Sequence, residues 1–548
     1  MSLSLLSGIG IQPRLYSVAQ RFAITVVGMH TEETLRRVVA RKLRGRRFIA
    51  VSNREPFIHV RQGERIACLK PASGLTTALD PILRATGGVW IAHGSGDADR
   101  DVAGENGRVM VPPENPSYAL KRVWLTARQE YGYYYGFANQ ALWPLCHVAY
   151  QFPLFDELHW ETYREVNRQF AEAVAEELAG QPAFVFIQDY HLALLAGMIK
   201  ELCPKVITAQ FWHIPWPNAE VFRICPWKEE ILEGLLKNDM LGFHLRYDCL
   251  NFVDAVSRFL EARVDSERLT VSYQGARAKV RAFPISVDFE AIQQQARAPE
   301  VEAEMAHLRT RYSLTTEFLA VGVDRLDYTK GIPERFRAMD RFLDKYPSYR
   351  GRVTFFQAGV PTRMQLPLYQ NAEREMRSLA DQINRKHRNG EWRPIVFVEE
   401  HFSPAALNAL YRLASACIVS SLHDGMNLVA KEFVSARSDE DGVLILSRFT
   451  GSARELTPAL LINPYAIDDF AETIQAALTM AAPERRTRMR RLRRIVAANN
   501  IYGWATSIVE KISDLSEEVT DHAAPAMALA GPPTRTGAGA ASARPLGF

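Results

Sequence analysis

Residues 416–433, Ala-Cys-Ile-Val-Ser-Ser-Leu-His-Asp-Gly-Met-Asn-Leu-Val-Ala-Lys-Glu-Phe, read as a buried apolar strand, an Asp-Gly turn and a helix. A strand feeding a helix through a short turn is half of a parallel βα unit. It puts Asp424 and Gly425 at the strand's carboxyl end, where helix amides point outward, unpaired and electropositive. A diphosphate can lie on those amides while Asp424 and Glu432 accept hydrogen bonds from the hydroxyls of a sugar or ribose. Asp-Gly before a helix is also an ordinary connection, so this segment needs a second one beside it.

The second is Val323-Asp324-Arg325-Leu326-Asp327-Tyr328-Thr329-Lys330-Gly331-Ile332-Pro333, which follows the apolar strand Phe318–Val323. Pro333 suits the first turn of a helix expected over Glu334–Leu343, so Arg325 and Lys330 fall on a short loop at its mouth. Both cations can reach one diphosphate. Arg and Lys are usually solvated surface charges, but two such loops, each after a strand, favour ligand binding.

The same alternation runs along the chain. Short β-rich runs stand at Phe48–Ser52, Ala183–Ile187 and Val206–Trp212, and again at 353–358, 395–398, 417–420 and 443–447, with helical patterns between or after them. The expected fold class is α/β, with two Rossmann-like units whose parallel sheets face across a cleft. The polar, helix-prone stretch Asp288–Arg311 connects them. We therefore expect an extension over 1–47, an amino-terminal unit over 48–290 and a carboxy-terminal unit over 291–521. The tail, 522–548, is rich in Ala, Gly, Pro, Ser and Thr and is too poor in apolar residues to order itself.

Composition narrows the function. With 548 residues, 47% apolar and 23% charged, the chain can bury large cores. A net charge of +4 is small for this size and no long basic stripe with interleaved aromatics appears, which argues against nucleic acid as a partner. The six cysteines are scattered without Cys-x-x-Cys spacing, as buried thiols in a reducing compartment are. No apolar run approaches the roughly 20 residues that cross a bilayer. Residues 36–47 read as a solvated amphipathic helix, and Asp97-Ala98-Asp99, in a polar Gly-rich loop, as a solvated turn with no metal.

The amino-terminal half offers a further set of residues. Ser52-Asn53-Arg54 ends the first strand, and Ser73-Gly74 opens an apolar helix where glycine permits close approach to a ligand. Residues 133–144, Tyr-Tyr-Tyr-Gly-Phe-Ala-Asn-Gln-Ala-Leu-Trp-Pro, hold Tyr134 and Trp143 among aromatic faces and amides suited to sugar rings, although such clusters are more often core. Asp189 and His213 each follow an apolar strand and can face one cleft; Asp189 also reads as a helix cap and His213 as a core histidine. Arg363 follows the strand ending at Ala358 and offers a guanidinium that grips phosphate in two-pronged fashion.

Taken together, Ser-Asn-Arg, Leu-Trp-Pro, Asp-Tyr-His-Leu, His-Ile-Pro-Trp-Pro, Arg-Leu-Asp-Tyr-Thr-Lys-Gly and His-Asp-Gly-Met-Asn-Leu-Val-Ala-Lys-Glu closely resemble the trehalose-6-phosphate synthase family of retaining glycosyltransferases, over roughly Phe48 to Ser516. The resemblance implies the GT-B architecture and transfer of glucose from UDP-glucose, or another nucleotide-diphosphate glucose, to glucose 6-phosphate, without cofactor or required metal. It implies that Arg325, Lys330, Ser73 and Gly74 hold the donor diphosphate, that Glu432 binds ribose and that Phe402 lies near the base. Asp424 and the amides of Gly425, Met426, Asn427, Leu428 and Val429 would hold the glucose. Arg54, Tyr134 and Arg363 would grip the acceptor phosphate, Trp143 and Asp189 its sugar, and His213 would face the donor glucose; Asp189, His213, Arg325 and Lys330 form the implied catalytic set.

Departures mark where the resemblance loosens. The family often has His where Gln188 stands and Gly-Gly where Ser73-Gly74 stands, and residues 88–96 differ from its usual Trp-rich version. Nucleotide and acceptor preference are the properties these changes touch, so transfer to glycerol 3-phosphate, as in glucosylglycerol-phosphate synthases, and a non-catalytic sugar-phosphate sensor are the competing readings. The resemblance further implies a cytoplasmic homo-oligomer. The chain after residue 516 is too short for the phosphatase domain fused in some relatives, so a separate phosphatase is expected to complete trehalose.

Overall fold

Strand Arg47–Ser52 lies between Ala183–Gln188 and Val89–His93, parallel to both, and the first sheet grows outward from it. On one side follow Ile207–Phe211, Met240–Phe243 and Ala276–Ala282; on the other, Tyr118–Val123 pairs with Val89–His93. Antiparallel strands close both edges of this ten-stranded sheet. The structure, a computed structural model, describes residues 30–71 and 74–523. The expected extension up to residue 29, Ser73, and the tail from residue 524 lie outside the described residues.

The second sheet has six parallel strands in the spatial order Ile395–Glu399, Val353–Val360, Phe318–Arg325, Ala416–Val419, Val443–Ser447, Leu460–Ile462. Strand order reverses at Arg47–Ser52 beside Ala183–Gln188 in the first sheet, and at Phe318–Arg325 beside Ala416–Val419 in the second. In open α/β sheets such reversals splay the following loops apart and leave a crevice at the carboxyl ends. Arg54, Asp189 and Asp424 each follow one of those four strands, while Arg325, expected on a loop, is the last residue of its strand, paired with Val360.

Beneath the second crevice, the fully buried Arg335 guanidinium ties three strands together. It donates to Asp324 at 2.8 Å, to Gln357 at 2.6 Å and to Ser420 Oγ at 2.9 Å. A buried charge satisfied on several sides is rigid, and this one fixes the spacing of the loops that carry Arg325, Arg363 and Asp424.

The sequence reading missed short apolar strands such as Val89–His93 and Met240–Phe243, and also strands whose side chains break the apolar pattern. Tyr118–Val123 carries Lys121 and Arg122, both buried and paired with Glu176 and Glu55 at 2.8 Å. The Asp97-Ala98-Asp99 expectation is corrected at Asp99. Its carboxylate is fully buried, accepts from the amides of His59 and Gly96, and pairs with Arg122 at 2.8 Å. Charge partners on another strand, invisible locally, stabilise what composition reads as solvated.

The amphipathic helix expected over 36–47 spans Glu32–Leu43, and it is packed rather than solvated, its apolar stripe of Leu35, Val39 and Leu43 being covered. The cover belongs to the final helix, Ile501–Ala523, whose Ile501, Trp504, Ile508 and Ile512 join the same core as Phe186 and Phe211 of the first sheet. The sequence division places 501–521 with the second unit; packing sends this helix back to brace the first. No helix among the described residues is long and apolar enough to cross a membrane. All six cysteines are free, four of them buried.

Candidate active site

The segment of Tyr134 and Trp143 is a wide π-type helix, Tyr131–Leu142, running into the short helix Trp143–His147. Such coils shift the direction of successive side chains and recur at functional sites. Tyr134 stacks on the His191 ring at 5.5 Å, and its hydroxyl lies 3.5 Å from the Arg54 guanidinium. Burial alone would raise the Tyr134 phenol, but the charges of Arg363, Arg54 and Arg325 bring it down to about 8.

Asp189 has a left-handed backbone, φ 71°, in a residue that is not glycine. Strain of this kind persists where surrounding contacts enforce it. Here Oδ1 accepts from the amides of Tyr190 at 2.9 Å and His213 at 3.1 Å. Burial outweighs these bonds and the nearby Arg363 and Arg325 charges, pushing the carboxyl up to about 7. The helix-cap reading and the cleft reading of Asp189 therefore both describe the same side chain.

Burial holds the His213 imidazole well below its usual range, with His244 and His191 adding to the effect, so the ring is neutral. Its Nε2 lies 3.0 Å from Gln188 Oε1, while the Gln188 amide nitrogen donates to the Ile187 carbonyl at 3.1 Å. An amide oxygen only accepts, so the His213 proton sits on Nε2 and Nδ1 is left as an acceptor.

From the second unit, Arg325 approaches the Trp143 ring at 5.5 Å and, among the described residues, has no hydrogen bond or ion pair. Lys330 Nζ lies 2.5 Å from Asp424 Oδ2. Burial opposes ionisation of Asp424, yet Lys330, reinforced by Asn427, holds its carboxyl well below the usual range. Asn427 caps the helix Leu428–Ala436 by accepting from the Ala430 amide and donates to Asp424 at 3.3 Å. Glu432, on that helix, accepts from the Tyr411 hydroxyl at 3.0 Å, and its carboxyl is raised by burial. Phe402 packs against Phe356 at 6.0 Å.

Arg363 takes a place the sequence did not foresee. It is buried over the Trp143 ring at 4.0 Å, pairs with Asp327 at 2.9 Å, and donates to the Tyr369 and Tyr190 hydroxyls at 2.6 and 3.3 Å. Asp327, Tyr190 and Tyr369 are thus site neighbours that sequence reasoning missed. Asp327 had a signal, since a carboxylate set between Arg325 and Lys330 needs a cation of its own; Tyr369, on a distant helix, had none.

The two units meet closely. A Cβ on Gly425 would lie 2.3 Å from the His213 carbonyl oxygen, and one on Gly74 would lie 2.7 Å from Leu428 Cδ1. Met426 enters the first unit's core, and Val429 packs in the second's. His423 Nδ1 donates to the His147 carbonyl at 2.7 Å, and Lys431 Nζ to the Ile285 carbonyl at 2.8 Å. Trp143 Nε1, His191 Nε2 and Arg363 Nε are buried without a partner among the described residues, so a polar ligand in the cleft would find them open.

The cleft thus joins cations, a carboxyl that titrates near neutrality, a neutral histidine and an aromatic face. That set can neutralise a phosphorylated leaving group and orient hydroxyls. Among the described residues the one His and Asp grouping with metal-ligand spacing is Asp340, Asp344 and His387, and Lys386 Nζ already sits 2.8 and 2.6 Å from its carboxylates.

Residues 46–514 match the sequence model of glycosyltransferase family 20. A bifunctional trehalose-6-phosphate synthase/phosphatase of Thermoproteus tenax is 36% identical over 474 residues, which span 84% of this chain but 63% of that protein. A trehalose-6-phosphate synthase of Mycobacterium avium is 36% identical over 482 residues, 85% of this chain and 95% of its own length. The solved structure of a UDP-forming alpha,alpha-trehalose-phosphate synthase from Burkholderia xenovorans, in complex with glucose-6-phosphate, superposes with a TM-score of 0.76. It is 32% identical and covers 85% of this chain and 99% of that one.

Proposed function

The chain belongs to glycosyltransferase family 20, and on that premise we propose that its cleft transfers glucose from UDP-glucose to glucose 6-phosphate with retention, forming trehalose 6-phosphate and UDP. The observation that carries this reading is Arg325, beside Trp143 and without a hydrogen bond or ion pair among the described residues, in the cleft that also holds the Lys330–Asp424 pair.

In this reading Arg325 and Lys330 hold the donor diphosphate together with Gly74 and Ser73. Asp424 and the segment Gly425 to Val429 take the glucose, Glu432 the ribose, and Phe402 lies toward the base. Arg54, Tyr134 and Arg363 face the acceptor phosphate, and Trp143 and Asp189 its sugar. Units 48–290 and 291–521 supply the acceptor and donor sides, with the final helix bracing the former.

The bond between glucose C1 and the β-phosphate oxygen breaks as the acceptor hydroxyl oxygen bonds to C1 on the same face. The acceptor proton passes to the departing phosphate oxygen, so no protein carboxylate acts as nucleophile. Negative charge grows on the leaving phosphate, and fixed cations there stabilise the transition state more than the ground state. His213 Nδ1 orients a donor hydroxyl. This chemistry requires no metal, and we place the enzyme in the cytoplasm as a homo-oligomer.

Nucleotide release from UDP-, GDP- and ADP-glucose, with and without glucose 6-phosphate and with chelator present, tests the reading. Release that depends on glucose 6-phosphate and yields a phosphorylated disaccharide supports it. Turnover with glycerol 3-phosphate alone reassigns the acceptor, loss on chelation overturns metal independence, and binding without turnover points to a sensor.

A further inference from the structure

A groove of about 250 Å³ lies outside the cleft, lined by Arg448, Phe449, Ala453, Arg454 and Leu461. Both arginines are exposed, and among the described residues neither guanidinium makes a hydrogen bond or ion pair. Some exposed arginines find a carboxylate, as Arg341 does with Asp468 and Arg490 with Glu440. Here two guanidinium groups without one border a single concavity, so their fields add there. The Phe449 ring is half-buried, fixed by the Tyr465 ring 6.2 Å away, and Leu461 adds an apolar wall.

We propose that this groove binds a small phosphorylated metabolite, its phosphate held between Arg448 and Arg454 and its body lying against Phe449 and Leu461. Guanidinium forks match tetrahedral oxyanions and favour them over single-point cations. Binding in the groove is independent of the transferase assignment, whereas its coupling to donor binding rests on that reading.

The groove is joined to the donor-side loop through backbone. The Asp424 amide donates to the Phe449 carbonyl at 3.1 Å, and a Cβ on Gly451 would lie 2.1 Å from the Gly425 oxygen. Occupancy that moves Phe449 moves Asp424 and Gly425 with it, so the ligand acts as an effector of donor binding.

The test is calorimetric titration of the full chain with inorganic phosphate and with phenyl phosphate, read as the difference from a variant that keeps the same cleft. The comparison is with the R448S/R454S double variant, which alters exposed side chains and is checked for folding by its melting temperature. We expect phenyl phosphate to bind wild type at least about tenfold more tightly than the variant. Equal affinity in both proteins overturns the site. Equal affinity of wild type for inorganic and phenyl phosphate overturns the role of Phe449 and leaves free phosphate as the ligand. A donor KM that phenyl phosphate shifts in wild type and not in the variant supports the coupling; identical responses overturn it.

Discussion

Lys330 and Asp424, which follow different strands of the second sheet, form a buried ion pair 2.5 Å long. One was expected at a diphosphate and the other at a sugar, and the structure shows that the two also position one another, with Lys330 holding Asp424 ionised. Removing one partner of a buried pair leaves an uncompensated charge. Lys330→Ala should therefore lower stability by about 3–5 kcal/mol, measured by denaturant unfolding. The double variant K330M/D424L should recover much of that loss, and an equally unstable double variant would show that the pair is not what Lys330 contributes.

Arg325 is the contrasting case, because among the described residues it has no hydrogen bond or ion pair to abandon, only the Trp143 ring beside it. Arg325→Ala should keep the melting temperature within a few degrees while turnover falls by roughly 10²–10³, the usual cost of removing one preorganised group that stabilises developing charge. Near wild-type turnover in the folded variant would remove Arg325 from the proposed mechanism.

Asp189 makes stability depend on pH. Its carboxyl is raised from 3.8 to about 7 by burial, so between those values the folded chain holds a proton that the unfolded chain has released. Stability then falls as pH rises through that window and levels off above it. Asp189→Asn abolishes this contribution, so the stability of wild type relative to the variant should decline from pH 4 to pH 7. A difference that stays flat across that range would contradict the raised value.

Gly425 permits the approach of the two units, since a methyl group there would meet the His213 carbonyl oxygen at 2.3 Å. Gly425→Ala should hold the cleft ajar. Displacement of about 1 Å at a reacting centre costs on the order of 10² in rate, so turnover should fall by that factor while far-UV circular dichroism is unchanged. Full activity would mean that the contact is not maintained during turnover.

Arg363 bridges the units from within, holding Asp327 and Tyr369 of the second and Tyr190 of the first. Arg363→Ala strands Asp327 and should cost about 3–5 kcal/mol. Arg363→Lys keeps the charge and loses the fork, so it should spare most stability and raise the acceptor KM. A lysine variant with unchanged acceptor KM would confine Arg363 to a structural role.

Much of the architecture was legible because parallel strands buried on both faces leave continuous apolar runs, and Phe48–Ser52, Ala183–Ile187 and Phe318–Val323 each sit on an observed strand. Tyr118–Val123 escaped because Lys121 and Arg122 find partners on distant elements. Asp99 was misread for the same reason: a buried carboxylate and a solvated one look alike until the cation is located.

The sequence by itself determined the order of strands and turns, the family, and which residue types stand at the strand ends, since these follow from local pattern and chain order. Tertiary structure alone decided that Arg363 faces Asp327, that Lys330 meets Asp424, that the final helix crosses back to the first sheet, and that Gly425 touches His213. Each of those relations joins residues far apart in the chain. Such partners are selected by burial and charge pairing across packed surfaces, which no local pattern encodes.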